Sequence, residues 1–202
     1  LWRTADAPAY PLGSDWAQYV KGALHIFHPG SFQYPSWRQP LYMALTGWLG
    51  EDAGYLATGR AISQGATLAC VFAAGLGSRA LAGRWAAVTA PLILPWIPPV
   101  ALGALWLTPY ALLAAMTGLA LAMGASTYRW QSPVTATLAG LFAGLAWATD
   151  IRGAFAIPAA GLLVALACRD LRKPWRALVL LALLVVGTSG PWVLDRHLKS
   201  SH

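Results

Sequence analysis

The chain has 202 residues, of which 57% are hydrophobic and only 10% are charged, and its formal net charge is +7. Soluble domains carry about 25% charged residues, so this deficit argues against a water-soluble domain and for lipid as the solvent. The cations lie between apolar runs, which favours membrane topology and anionic lipid over nucleic acid as the explanation of the basic charge.

Residues 1–54 form a mixed, aromatic-rich segment ahead of the apolar runs. The stretch "GSDWAQYVKGA" (13–23) has helical spacing, and Asp15, Tyr19 and Ala23 fall on one face of that helix. This segment holds the first polar side chains that lie at helical spacing beside the membrane.

Two further stretches complete this first segment. "HPGSFQYPSWRQP" (28–40) is loop-like because proline and glycine interrupt it. "PLYMALTGWLG" (40–50) predicts a short amphipathic helix at the membrane interface.

Apolar runs then follow at lengths close to the ~20 residues that a bilayer requires. They predict spanning helices at about 55–78, 85–102, 108–126, 133–149, 153–168 and 177–194. Small residues in "GLFAG" (140–144) suit close helix contact. We expect an all-α, polytopic helical membrane protein of about six spans, with residues 1–54 as an outer-face loop carrying interfacial helices and 55–202 as one transmembrane bundle.

Orientation follows from the basic residues in the shortest loops, which the positive-inside rule weights most. These residues are predicted to be cytoplasmic: Arg79, Arg84, Arg129, Arg169, Arg172, Lys173 and Arg176. Residues 1–54, the turns at 103–107 and 149–153 and the C-terminal tail then share the outer face. We expect an integral membrane protein of the bacterial inner membrane, with 1–54 in the periplasm. The start at Leu1 and the abrupt end of the chain favour a segment of a longer protein.

Asp15 is the first candidate for chemistry. A carboxylate at a membrane interface serves as a general base, a metal ligand or a helix cap, and "GSD" before a helical stretch is also an N-cap signal. Residue type alone leaves the catalytic and capping interpretations open.

The remaining candidates are cations. Asp150 and Arg152 in "WATDIRGAF" stand between two apolar runs, where they form either a local ion pair or an anion contact made by the planar guanidinium. Arg38 in "WRQPLY" and, more weakly, Lys21 either snorkel to headgroups or hold a lipid phosphate.

Other kinds of site find no support in the sequence. The histidines lack metal-ligand spacing, and the two cysteines lie in or at the end of apolar runs. No nucleophile elbow, glycine-rich phosphate loop or Walker pattern occurs, so we expect neither a metal nor a cofactor.

Five degenerate motifs follow one another along the chain: D-x-x-x-Y-x-x-x-A at 15–23, "WRQPLYMAL", the stretch 59–95, "GLAWATDIRGAFAIPAAGLL" and "GPWVLDRHL". Their order resembles the N-terminal membrane part of GT-C glycosyltransferases, of the dolichyl-phosphate-mannose protein mannosyltransferase and aminoarabinose transferase type. The resemblance covers nearly the whole chain.

The resemblance implies sugar transfer from a polyprenyl-phosphate donor to an acceptor, here unknown, on the outer face. It implies that Asp15 is the catalytic carboxylate and that Arg38 and Arg152 bind donor phosphate. Lys21 is a weaker candidate for the same phosphate, and helical spacing keeps Tyr19 with Asp15 on the cleft side. Thr108 stands where family members often carry a second acid.

Two other functional classes stay open at this point. A non-catalytic membrane subunit, related to these enzymes and bound to partners in a membrane complex, fits the missing acid. A transporter or lipid-handling protein would need charges at mid-helix, whereas the charges found here lie near helix ends.

Overall fold

The computed structural model describes residues 14–27, 39–98, 100, 104, 108–168, 181–182, 184–186 and 190. Within this part of the chain every regular element is a helix and no strand occurs, which confirms the all-α class. The helices are α1 (Ser14–Phe27), α2 (Pro40–Ala53), α3 (Tyr55–Ala82), α4 (Arg84–Ile93), α5 (Tyr110–Trp130), α6 (Pro133–Thr149) and α7 (Ala156–Ala167), with 3-10 turns at Leu94–Trp96 and Ile151–Phe155.

Glycine and proline set several helix boundaries. Gly54 separates α2 from α3 and Gly83 separates α3 from α4, at φ values of 84° and 88° that residues with a side chain rarely adopt. Pro40 and Pro133 begin α2 and α6, where a missing N–H costs no helical hydrogen bond.

Two of the described helices are long and apolar enough to cross a membrane: α3 with 28 residues and α5 with 21. The segments Pro133–Thr149 and Ile151–Ala167 are shorter apolar helices. The expectation of about six spans is therefore met only in this coarser form. The last predicted span, 177–194, lies largely outside the described residues.

The predicted span 85–102 is wrong as a single helix. α4 has 10 residues and ends at Ile93, followed by the 3-10 turn Leu94–Trp96 and an extended Ile97 with ψ of 117°. Pro95 has no N–H to donate and Pro98 follows closely, so the helical hydrogen-bond ladder stops here.

The stretch 40–50 is helical as expected, but it is not amphipathic. Tyr42 and Met43 are completely buried, while the exposed residues Trp48 and Leu49 are themselves apolar. α2 therefore packs against the rest of the protein on one side and exposes apolar side chains on the other.

α3 and α5 run parallel to each other at a small-residue contact. A methyl group added at Gly77 would lie 3.5 Å from Ala122 Cα, and one added at Gly118 would lie 3.4 Å from Ala73 Cβ. Both pairs give the same register, so the start of α5 lies level with Gly65. The first turns of α3 thus extend roughly 15 Å past the start of α5, at about 1.5 Å per residue.

Small side chains fill the interior and large apolar side chains face outward. The main cluster is mostly alanine, with Ala136, Ala139 and Ala143 at 0% exposure, and it joins α5, α6 and α7. On the outside, Trp96 is 85% exposed and Phe155 is 78% exposed. Large exposed apolar surfaces are rare on monomeric soluble proteins, whereas membrane helices pack through small residues.

α1 and α2 pack on each other and on one end of this bundle. The rings of Tyr19 and Tyr42 meet edge to face with centroids 5.2 Å apart, and Gly22 lies directly against Met43. Their cluster also contains Ala66 of α3 and Ala111, Leu112 and Ala115 at the start of α5. The helix pair therefore lies at the N-terminal end of α5.

Candidate functional site

The best-defined polar geometry lies in the turn that follows α6. Asp150 Oδ1 accepts hydrogen bonds from the backbone N–H and from Nε of Arg152, both at 2.9 Å, and Oδ2 accepts one from Nη2 at 3.2 Å. The same carboxylate caps the 3-10 turn. The local ion pair that the sequence left open is thus present, while the contact of Arg152 with phosphate stays a prediction.

Arg152 is fixed in place without being enclosed. Its guanidinium carbon lies 4.8 Å from the centroid of the Tyr110 ring, which is a cation–π geometry. The Arg152 side chain is 58% exposed, against 12% for Asp150. Hydrogen bonding to Asp150 first, and the contact with Tyr110 second, raise the pKa of Arg152 further above its ordinary value. The turn therefore presents a permanent, oriented cation with an open outer edge.

Asp15 lies in the first turn of α1, which begins at Ser14. The helix dipole favours a carboxylate in this turn. The position therefore suits a carboxylate that stabilises the start of the helix as well as one that acts as a general base. The next residues on the predicted shared face, Tyr19 and Ala23, are 1% and 0% exposed. The face that carries Tyr19 and Ala23 is therefore a packed face of α1.

The other predicted site residues are not all gathered at one point. Tyr19 is buried against Tyr42, so its place in a substrate cleft stays a prediction. Lys21 is exposed on another side of α1. Arg38 lies outside the described residues.

Tyr110 links the helix pair to the Arg152 turn. Its ring covers Arg152, and the residues that follow it, Ala111 and Leu112, pack in the same cluster as Tyr19 and Tyr42. α1, α2 and the Asp150–Arg152 turn consequently lie at the same end of the bundle, as the predicted sharing of one face requires.

Sequence analysis missed a buried polar cluster formed by Tyr42 and Thr46 of α2 and Ser63 of α3, which are each 0% exposed. Tyr42 Oη and Thr46 Oγ1 have no hydrogen-bond partner. Burial raises the pKa of Tyr42 to about 12, and its interaction with the Ser63 and Thr46 side chains opposes the shift. The spacing of Tyr42 and Thr46, one helical turn, was the available sequence signal.

A shallow apolar groove lies between α2 and the start of α3. It is lined by Leu49, Ala57, Thr58, Ala61 and Ile62. The Thr58 hydroxyl donates a hydrogen bond to the Leu49 carbonyl oxygen at 3.2 Å, so the lining of the groove is effectively apolar.

No group of three or more histidine, cysteine, aspartate or glutamate side chains is placed to hold a metal within the described residues. Comparison with known proteins adds no assignment, because no protein-family model, curated protein or solved structure matches the chain. The site must therefore be interpreted from its own geometry.

Proposed function

We propose that this chain is the membrane part of a glycosyltransferase that moves a sugar from a polyprenyl-phosphate donor to an acceptor on the outer face of a bacterial inner membrane. The observation that carries the proposal is the common location of two features. The helix that holds Asp15 packs at the same end of the bundle as the oriented cation of Arg152.

The distribution of side chains supports the membrane location. The register of α3 and α5 gives about 18 residues of overlap, roughly 27 Å, which is close to the ~30 Å hydrocarbon core of a bilayer. Exposed arginines and aromatic residues gather at the end of the bundle opposite Arg152: Arg79, Arg84, Trp85, Tyr128, Arg129 and Trp130. Basic residues beside a membrane are typical of the cytoplasmic side, and aromatic residues are typical of the interface.

The proposed chemistry assigns one role to each charged group. Asp15 accepts the proton of the acceptor hydroxyl while the oxygen of that hydroxyl bonds to the anomeric carbon of the sugar. The bond from that carbon to the phosphate oxygen breaks, and the electron pair leaves with the lipid phosphate. Arg152, Arg38 and Lys21 would stabilise the charge that develops on this leaving group. A transition state of oxocarbenium type follows by analogy with inverting glycosidases.

The apolar groove between α2 and α3 supports a lipid-linked substrate. It lies between α2 and the first turns of α3, beyond the start of α5, and its apolar lining suits the part of an isoprenoid chain next to the headgroup better than a soluble nucleotide sugar. The polar end of such a lipid would then lie near the outer end of the bundle.

Asp15→Asn tests the proposal in the full-length protein. Asn is nearly isosteric, so folding should be unchanged, while loss of the base should lower sugar transfer by on the order of 10²–10⁴-fold. Asp52→Asn is the matched control, because it removes another acid of the same outer segment. Thin-layer chromatography of a labelled polyprenyl-phosphate sugar reads out transfer. Undiminished transfer in Asp15→Asn would reject the catalytic role.

A non-catalytic membrane subunit is the second candidate, and two observations favour it. Asp150 already neutralises Arg152, and Thr108 occupies the position where related enzymes often carry an acid. Absence of transfer by the wild-type protein across a panel of sugars and acceptors would favour this candidate.

A further inference from the structure

The buried hydroxyls of Tyr42 and Thr46 have no hydrogen-bond partner, whereas other helical threonines of this protein donate to a backbone carbonyl. Thr67, Thr127 and Thr149 each donate to the carbonyl oxygen four residues earlier, at 2.8–2.9 Å. Thr46 is just as deeply buried as Thr127, yet its Oγ1 makes no such bond. Its hydroxyl is kept away from the partner that a helical threonine normally uses.

Two unpaired hydroxyls one helical turn apart form an unfavourable arrangement in a dry interior. Buried polar groups almost always have a partner, so each exception requires an explanation. Tyr42 and Thr46 are both fully buried and both without one. A ligand that supplies donors and acceptors to this pair would remove the penalty.

α1 packs on the part of α2 that carries this pair of hydroxyls. Tyr19 meets the Tyr42 ring, and Gly22 lies against Met43, the residue next to Tyr42. Gln18 of α1 likewise has a buried side-chain oxygen, Oε1, without a partner. Unpaired polar atoms therefore occur on both helices of the α1–α2 pair, and α1 is the helix that carries Asp15.

We propose that Tyr42 and Thr46 form a hydrogen-bonding subsite for a hydroxyl-rich ligand, a sugar ring, and that α1 closes over this subsite when no ligand is bound. This inference rests on the proposed function, because it assigns the sugar of the donor to these residues.

The chemistry of the cluster favours a neutral polyhydroxyl group over a phosphate. Tyr42, Thr46, Ser63 and Gln18 carry no charge, whereas phosphate sites rely on cations. Burial raises the pKa of Tyr42 to about 12, so its hydroxyl remains a donor at any working pH. A hydroxyl pairs with a sugar hydroxyl as either donor or acceptor.

The test uses the full chain in detergent and the variants Tyr42→Phe and Thr46→Val, singly and combined. Thr67→Val is the control, since that hydroxyl has a carbonyl partner on the neighbouring helix α3. Thermal melting without ligand is measured first. Melting shifts and Kd are then measured with polyprenyl-phosphate glucose, mannose and galactose, with bare polyprenyl phosphate and with the free hexoses.

The subsite predicts opposite behaviour of the variants in the two measurements. Without ligand, Tyr42→Phe and Thr46→Val should melt at or above the wild-type temperature, because they remove unpaired hydroxyls, while Thr67→Val should melt lower. The Kd for at least one hexose-bearing lipid should weaken by roughly 2- to 10-fold per hydroxyl removed. The Kd for bare polyprenyl phosphate should not change. Equally strong binding of a free hexose supports the subsite and makes a soluble sugar its source.

Two results would overturn the subsite. One is a lower melting temperature of both variants without ligand, which would make the hydroxyls structural. The other is a wild-type protein that binds every sugar-bearing lipid no more tightly than it binds bare polyprenyl phosphate. These results are separable from failure of the proposed function: transfer that proceeds with unchanged Kd in the double variant rejects only the subsite. Sugar-dependent binding without any transfer rejects only the enzyme.

Discussion

The Asp150–Arg152 pair shows how a charged group is oriented at low cost beside an apolar bundle. Arg152 is more than half exposed, so the ion pair itself is expected to contribute only about 0–1 kcal/mol. Asp150 is the more buried partner and receives three N–H donors from Arg152. The pair therefore serves mainly to satisfy Asp150 and to fix the direction of the guanidinium.

Removal of Arg152 should consequently be felt through Asp150. Arg152→Gln leaves a carboxylate that is 12% exposed without its charged donors, at a cost of roughly 1–3 kcal/mol. The double variant Asp150→Asn with Arg152→Gln should recover part of that loss. Chemical or thermal unfolding in detergent measures the coupling in a double-mutant cycle. Strictly additive losses would show that the pair does not act as a unit.

Tyr42 should make the fold sensitive to alkali. Its pKa is raised to about 12, above the ordinary value of about 10, because burial disfavours the phenolate. Between these values the unfolded chain releases a proton that the folded chain retains, so this residue's contribution to stability falls as pH rises through that window. Melting temperatures across the alkaline range should drop less in Tyr42→Phe than in the wild type. Parallel curves for the two proteins would contradict the shift.

At the scale of helices, close approach at glycine is the main packing device. A methyl group added at Gly140 of α6 would lie 2.8 Å from the backbone oxygen of Leu181, which leaves no room for it. The small-residue stretch 140–144 had suggested a helix contact here, and Gly140 makes one. Gly65 on α3, by contrast, has nothing within 4 Å of an added methyl group.

Gly140→Ala and Gly65→Ala should therefore move stability in opposite directions. The first substitution overpacks a backbone contact and should cost about 1–3 kcal/mol. The second places alanine in a helix with open space and should gain about 0.5–1 kcal/mol. Melting temperatures of the two variants give the comparison. A gain in both would mean that Leu181 does not rest on Gly140.

The apolar runs predicted helices well where they were uninterrupted, as with 133–149, which matches α6 at both ends. They failed at 85–102 because a hydropathy pattern does not register that Pro95 and Pro98 remove ladder donors. The site divides in the same way. Asp150 and Arg152 are neighbours in sequence, so their pairing was foreseeable. The contact of Tyr110 with Arg152 joins segments far apart in the chain, and only the packing of α5 beside α6 creates it.

At the scale of the whole molecule, many large apolar side chains of the described residues face outward. The two ends of the helical bundle also differ from each other. One end carries exposed arginines without a described acid beside them, and the other carries α1, α2 and the Asp150–Arg152 turn. In a bilayer this asymmetry would fix the orientation, because basic residues in short loops are retained in the cytoplasm. The proposed chemistry requires the Asp15 end to face outward.

One residue at the start of α6 and one just past its end allow a matched test of that orientation. Val134 and Ile151 are both 64% exposed, so cysteines placed there differ in location and not in burial. With Cys70 and Cys168 replaced by serine, Ile151→Cys should react with a membrane-impermeant thiol reagent added to intact cells. Val134→Cys should react only after permeabilisation. Because α6 has 17 residues and spans roughly 25 Å, the two positions lie near opposite surfaces of the bilayer if α6 crosses it. Labelling of both in intact cells would mean that α6 does not cross. The reverse pattern would place Asp15 and Arg152 in the cytoplasm and remove the basis for transfer on the outer face.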